Sequence, residues 1–185
     1  MSATFLNAFP ARLNLDVTGL AQLLDPPAAL VATNPFSVVC DGESLLIPQR
    51  IYGPPISDNQ FASLCFIEQL IAACWFTRHH DGHVRERFLR HLQNYRASWV
   101  IAYVVVLCGE YVIELLQYIW ERRELFDAVV LGRWLNGNEE FYSKTRARIT
   151  SYWDCYYRSS CAQFDGYVGR RLITFFDECR SKAAV

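Results

Sequence analysis

The period of the apolar positions changes near residue 57. Before that point, Leu13 to Leu24 suits one short helix. Asp25-Pro26-Pro27 ends it, because proline disfavours helix for the residue before it. Phe36–Cys40 and Glu43–Ile47 flank Asp41-Gly42, a pair suited to a tight primed turn, and together predict a β-hairpin. Pro48, Pro54 and Pro55 mark the loop that follows.

From residue 57 the spacing is helical. Ser57 and Gln60 form a capping-box pattern. Phe61, Leu64, Cys65, Leu70, Ile71 and Cys74 recur at three and four and predict one helix over 58–76. His79–Gly82 reads as a tight polar connection. Val84, Phe88, Leu89 and Leu92 predict a short amphipathic helix over 83–94. Ser98 is an expected N-cap for a long, largely buried helix reaching near Arg122. A weaker helix over 123–135, a turn at Asn136-Gly137-Asn138, a helical segment over 139–159 and a last helix over 167–180 complete the pattern. The expected fold class is mainly all-α, with five or six stacked antiparallel helices and a small N-terminal β-hairpin. A single domain is expected, residues 1–56 forming an N-terminal extension and 57–180 the helical core.

Composition agrees with a folded chain. Of 185 residues, 52 % are hydrophobic, with 12 Phe, 10 Tyr and 5 Trp, which argues against disorder. The net charge of −1 gives no wholesale attraction to nucleic acid or acidic lipid. The charge is uneven: residues 1–76 hold six acids against two bases, and residues 77–185 hold 13 acids against 16 bases. Seven Cys, an odd number without a Cys-x-x-Cys pair, read as reduced thiols serving as small hydrophobes. Trp99 to Gly109 carries no charge, but Glu110, Glu114 and Gln117 interrupt it well short of the roughly 20 apolar residues a span needs. No signal peptide is recognised at the N-terminus, so a cytoplasmic protein without membrane attachment is expected.

Three segments carry candidate chemistry. The first is Thr77–His83. All four His (79, 80, 83 and 91) fall close together, and His79, His80, Asp81 and His83 are the residues that would hold a divalent metal if one is bound. The plainer reading is that Asp81 caps the next helix and the imidazoles bond neighbouring carbonyls. Arg78 and Arg85 flank the cluster as binding candidates. The second segment holds Glu110 and Glu114, expected one turn apart on one face of an apolar helix. Buried carboxylates there need a cation, either a metal or an Arg. The third is Ser151–Arg158. Tyr152, Trp153 and Tyr157 cover much of the helix circumference, and Asp154 and Arg158 suit an i, i+4 ion pair. Exposed Tyr and Trp beside Arg resemble a protein-binding hot spot. The bases around 144–158 also permit stacking on single-stranded nucleic acid. The three segments are expected to converge in one polar pocket. No Gly-rich nucleotide cradle and no Gly-x-Ser-x-Gly elbow is present.

Two resemblances follow from these residues. The run Asp81-Gly-His-Val-Arg-Glu-Arg-Phe-Leu-Arg-His-Leu92 resembles the start of a HEAT-type helical repeat. That implies a helix pair, 83–94 and 99–122, and a protein-binding surface. Ile47–Tyr52, Thr77–Arg85, Gly109–Glu114 and Ser151–Arg158 together resemble an uncharacterised group of bacterial proteins, which implies no activity. The leading expectation is a protein-interaction module whose partner is another protein or a second copy, with no cofactor. A metal-dependent hydrolase or oxidoreductase using the His cluster with Glu110 and Glu114 is the alternative. Nucleic-acid binding through the 144–158 helix comes third.

Overall fold

The computed structural model describes residues 3–24, 31–92 and 95–184. About 66 % of it is helical, so the chain is mainly α. The described residues contain ten α-helices, more than the five or six expected, because two predicted helices are each broken in two and a short helix at Ala3–Leu6 was not expected. Two two-stranded antiparallel pairs accompany them.

The chain divides into two compact units, Met1–Gln93 and Asn94–Val185. The first contains α1 (Ala3–Leu6), α2 (Asn14–Leu23), β1 (Val31–Ala32), β2 (Pro35–Cys40), β3 (Glu43–Pro48), β4 (Ile51–Tyr52), α3 (Asp58–Ser63), α4 (Phe66–Phe76) and α5 (Gly82–His91). The hairpin β2–β3 turns at Asp41 and Gly42, both at positive φ (52° and 83°), as the Asp-Gly pair demands. The expected stop of the first helix at 25–27 lies outside the described residues. Ser57 and Gln60 make the expected capping box for α3: Gln60 N–H donates to Ser57 Oγ at 3.3 Å, and Ser57 N–H to Gln60 Oε1 at 3.1 Å.

The predicted helix over 58–76 is two helices. Leu64 and Cys65 are extended, and Cys65 N–H donates to Glu68 Oε2 at 2.9 Å, which restarts the chain as α4. Hydrophobic spacing cannot register such a break, because Leu64 and Cys65 fit the apolar stripe. In this unit the Trp75 ring lies 4.4 Å from Phe5, and Phe76 stacks on Phe88 at 4.7 Å.

The second unit contains α6 (Ser98–Cys108), α7 (Ile113–Glu121), α8 (Ala128–Gly137), α9 (Glu139–Tyr152) and α10 (Val168–Ala183). The long helix expected over 98–122 is interrupted after Cys108. Gly109 and Glu110 donate to Val106 and Leu107, short-range bonds that close the turn, and Val112 is extended. Every residue of α6 is buried, as its uninterrupted apolar run requires. Ser98 is the first residue of α6, and its N-cap is Ala97. Helix α8 starts at Ala128, later than expected, where Asp127 accepts from the N–H groups of Val129 and Val130.

Helices α8 and α10 pack at backbone distance through Gly132. A Cβ built there would lie 2.1 Å from the Cys179 carbonyl oxygen. Gly109 has no such role: an added Cβ would meet only ordinary contacts, at 3.5 Å or more. Helix α9 ends in one π-helical turn, Trp153–Tyr157, in which Arg158 N–H donates to the Trp153 carbonyl at 2.8 Å. Among the described residues no helix is long and apolar enough to cross a membrane.

Candidate functional site

The His segment lies in the first unit and is stitched to the exit of the hairpin. Ile51 N–H donates to the Arg78 carbonyl and His80 N–H to the Ile51 carbonyl, each at 2.9 Å, so residues 78–80 run parallel to β4. Arg78 is buried and donates to the carbonyls of Pro48 and Gln49 at 3.2 and 2.6 Å. Arg85 returns from α5 and donates to the carbonyls of His79 and His80, both at 2.8 Å.

His79 uses both ring nitrogens. Nε2 donates to the Gly53 carbonyl at 2.8 Å, and Nδ1 accepts from Asp81 N–H at 3.1 Å. Burial holds its pKa below the ordinary imidazole value, so the ring is neutral. Asp81 is the N-cap of α5, its carboxylate accepting from His83 N–H at 2.9 Å. That hydrogen bond lowers the Asp81 pKa. His80 is exposed and stacks on Tyr52 with ring centroids 4.9 Å apart, and His83 is exposed beside Asp81. These contacts are those of a structural loop latch. Among the described residues, no group of three or more His, Cys, Asp or Glu is placed to hold a metal ion.

Glu110 and Glu114 belong to the second unit, and they do not share a helix face. Glu110 sits buried in the turn between α6 and α7, 4 % exposed, while Glu114 is exposed in the first turn of α7. The expectation of paired carboxylates one turn apart fails because the helix stops at Cys108.

The aromatic segment is the most developed surface feature. Tyr111, from the turn after α6, meets Tyr152 and Tyr156 from α9 and its π turn. The three ring centroids are 5.8 to 6.1 Å apart in each pair. Tyr111 is 51 % exposed and Tyr156 60 %. Tyr157 does not face outward, contrary to the reading that groups it with the exposed aromatics. It is half-buried, its hydroxyl donates to the Tyr111 carbonyl, and its ring stacks on Tyr167 at 5.5 Å. Burial raises the Tyr157 pKa. Trp153 packs on Phe164 at 5.0 Å and donates through Nε1 to the Cys161 carbonyl at 2.9 Å. Asp154 and Arg158 form the expected ion pair at 2.8 Å. Both are more than half exposed, where such a pair contributes little.

Sequence reasoning missed Tyr111. Its segment stood out for its two carboxylates, and Tyr111 joins the Tyr152–Tyr156 face only because the chain turns at 109–112. It also missed a cleft of about 390 Å³ between α7 and the start of α10, lined by Gln117, Trp120, Cys161, Tyr167, Val168 and Arg171 among others.

Comparison of the chain with protein-family models, with curated proteins and with solved structures finds no match.

Proposed function

We propose that this chain is a helical module that docks another protein against the aromatic face of Tyr111, Tyr152 and Tyr156. The single observation that carries this reading is a cluster of three mutually contacting tyrosines, of which Tyr111 and Tyr156 are exposed and Tyr152 is half-buried beneath them. Tyrosine supplies large, stiff contact area with a polar tip, the chemistry enriched at binding hot spots. The support is a π-helical turn, a local distortion found often at functional sites.

The neighbouring bases favour protein over nucleic acid as the partner. Lys144 pairs with Glu140 at 2.6 Å, Arg146 with Asp177 at 3.6 Å and Arg158 with Asp154 at 2.8 Å. Arg148, exposed on the same helix, makes no ion pair among the described residues, but one unmatched cation is less than the positive strip that tracks a phosphate backbone.

The test is a Tyr111→Ala/Tyr156→Ala double variant compared with wild type. Quantitative affinity capture and sedimentation equilibrium are read together, the second because a further copy of the chain is one candidate partner. The expected result is loss of a reproducible partner, or of a dimer, with thermal unfolding nearly unchanged. An identical set of partners and an identical association state in the folded variant would sink the reading.

A further inference from the structure

We infer, resting on the docking reading above, that the partner on the aromatic face is a second copy of this chain. The two copies pair across a two-fold axis, so that Arg148 of each meets Glu114 of the other. A two-fold interface sets one patch against itself, so each end of the patch must suit the other end. The aromatic face of the second unit has that property.

Two stretches of chain run side by side along it. One is the turn from Gly109 to Glu114, and the other is α9 with its π turn. At one end, a Cβ added at Gly109 would lie 3.6 Å from Arg148 Cδ, so the arginine stem lies against the start of the turn. In the middle, Tyr111 meets Tyr152 and Tyr156. At the far end the Tyr157 hydroxyl donates to the Tyr111 carbonyl, and Glu114 follows in the first turn of α7. Burial and, after it, the nearby Glu114 charge raise the Tyr157 pKa, which sets the carboxylate beside this end. Arg148, Tyr152 and Tyr156 are four apart and share one stripe. The face thus carries a cation at one end, exposed tyrosine between, and a carboxylate at the other.

Neither end charge is matched within the chain. Arg148 and Glu114 are exposed, and neither makes an ion pair among the described residues. The other charges of α9 and its π turn that form ion pairs do so internally: Lys144 with Glu140, Arg146 with Asp177 and Arg158 with Asp154. Rotation about the two-fold sets Arg148 opposite Glu114 twice and brings the exposed tyrosines of the two copies together. A partner patch of one sign would match one end and repel the other, whereas a second copy matches both. Tyr and Arg are enriched in interfaces of this kind. The net charge of −1 leaves little long-range repulsion between copies.

The test is sedimentation equilibrium of the full chain, of Glu114→Arg, of Arg148→Glu and of the variant carrying both changes. Wild type is expected to dimerise. Each single reversal sets like charges together twice in the dimer and should weaken it by about tenfold or more, with thermal unfolding nearly unchanged at these exposed positions. The two single variants, mixed in equal amounts, should associate as a heterodimer, because each supplies the charges that the other lacks. The double reversal should dimerise like wild type. A wild-type chain that stays monomeric at about 1 mM overturns this inference and leaves the docking reading to its captured partner. A dimer that Tyr111→Ala/Tyr156→Ala abolishes but neither reversal weakens overturns the two-fold pairing alone, as does a mixture that fails to recover association. A dimer that none of these changes weakens overturns the inference, and the docking reading with it if captured partners are also unchanged.

Discussion

The hydroxyl of Tyr157 donates to the backbone carbonyl of Tyr111, joining the π turn after α9 to the turn between α6 and α7. This bond fixes the backbone that presents Tyr111, so Tyr157 positions the aromatic face without belonging to its exposed surface. Tyr157→Phe keeps the ring stack on Tyr167 and removes only the hydroxyl. It should cost about 1 kcal/mol of stability, the usual net worth of such a bond. Denaturant unfolding checks the cost, and hydrogen exchange should show faster opening at residues 111–113. Unaltered exchange there would separate Tyr157 from the turn.

The face itself should be separable from the fold. Tyr156 is 60 % exposed, so Tyr156→Ala should change stability by less than about 0.5 kcal/mol. Its effect on partner binding should be far larger, of the order of 2 kcal/mol for a hot-spot tyrosine. Calorimetric unfolding and a binding isotherm with the captured partner check the two quantities. A large loss of stability would make Tyr156 a packing residue.

Helix α10 depends on a glycine of α8. Gly132→Ala places a Cβ 2.1 Å from the Cys179 carbonyl oxygen and 2.7 Å from the Ala183 Cβ. The two backbones must separate, and overpacking of this kind costs about 1–3 kcal/mol or more. Thermal unfolding should fall by several degrees. Gly109→Ala, whose new Cβ would find ordinary contacts, should be close to neutral and serves as the control.

The loop latch should make stability depend on pH through His79. Its folded pKa lies below the ordinary 6.5 because of burial. The unfolded chain therefore takes up a proton first as pH falls. The stability contributed by the neutral ring is complete above 6.5 and is lost as pH drops from there towards the folded value. Protonation also removes Nδ1 as the acceptor for Asp81 N–H. Urea unfolding across this window should show a slope that His79→Gln reduces. His91, also lowered by burial, adds a slope of the same sign. An unchanged slope in the variant would show that His79 titrates alike in both states.

Local signals were legible in the sequence wherever short-range chemistry decides. The Asp41-Gly42 turn, the Ser57–Gln60 box, the Asp81 cap and the Asp154–Arg158 pair all stand where their residue types put them. The break at Leu64–Cys65 was not legible, since no proline marks it and the apolar stripe continues across it; the break after Cys108 carried a signal, Gly109 followed by Glu110, that the helical spacing on either side overrode. Losing the second break displaced Glu110 from its expected helix and hid Tyr111. The cleft was invisible for another reason. Trp120 and Arg171 are far apart in sequence, and no motif joins a tryptophan on one helix to an arginine at the start of another.

The most direct test of the docking face is site-specific photo-crosslinking in cells that express the protein. A photoreactive phenylalanine replaces Tyr156 or, as the comparison, Leu15, which is 89 % exposed and belongs to the first unit. The account predicts discrete crosslinked species from position 156 that position 15 does not give, and their loss when Tyr111 is also changed to Ala. No crosslinked species from 156, or the same species from both positions, would contradict it.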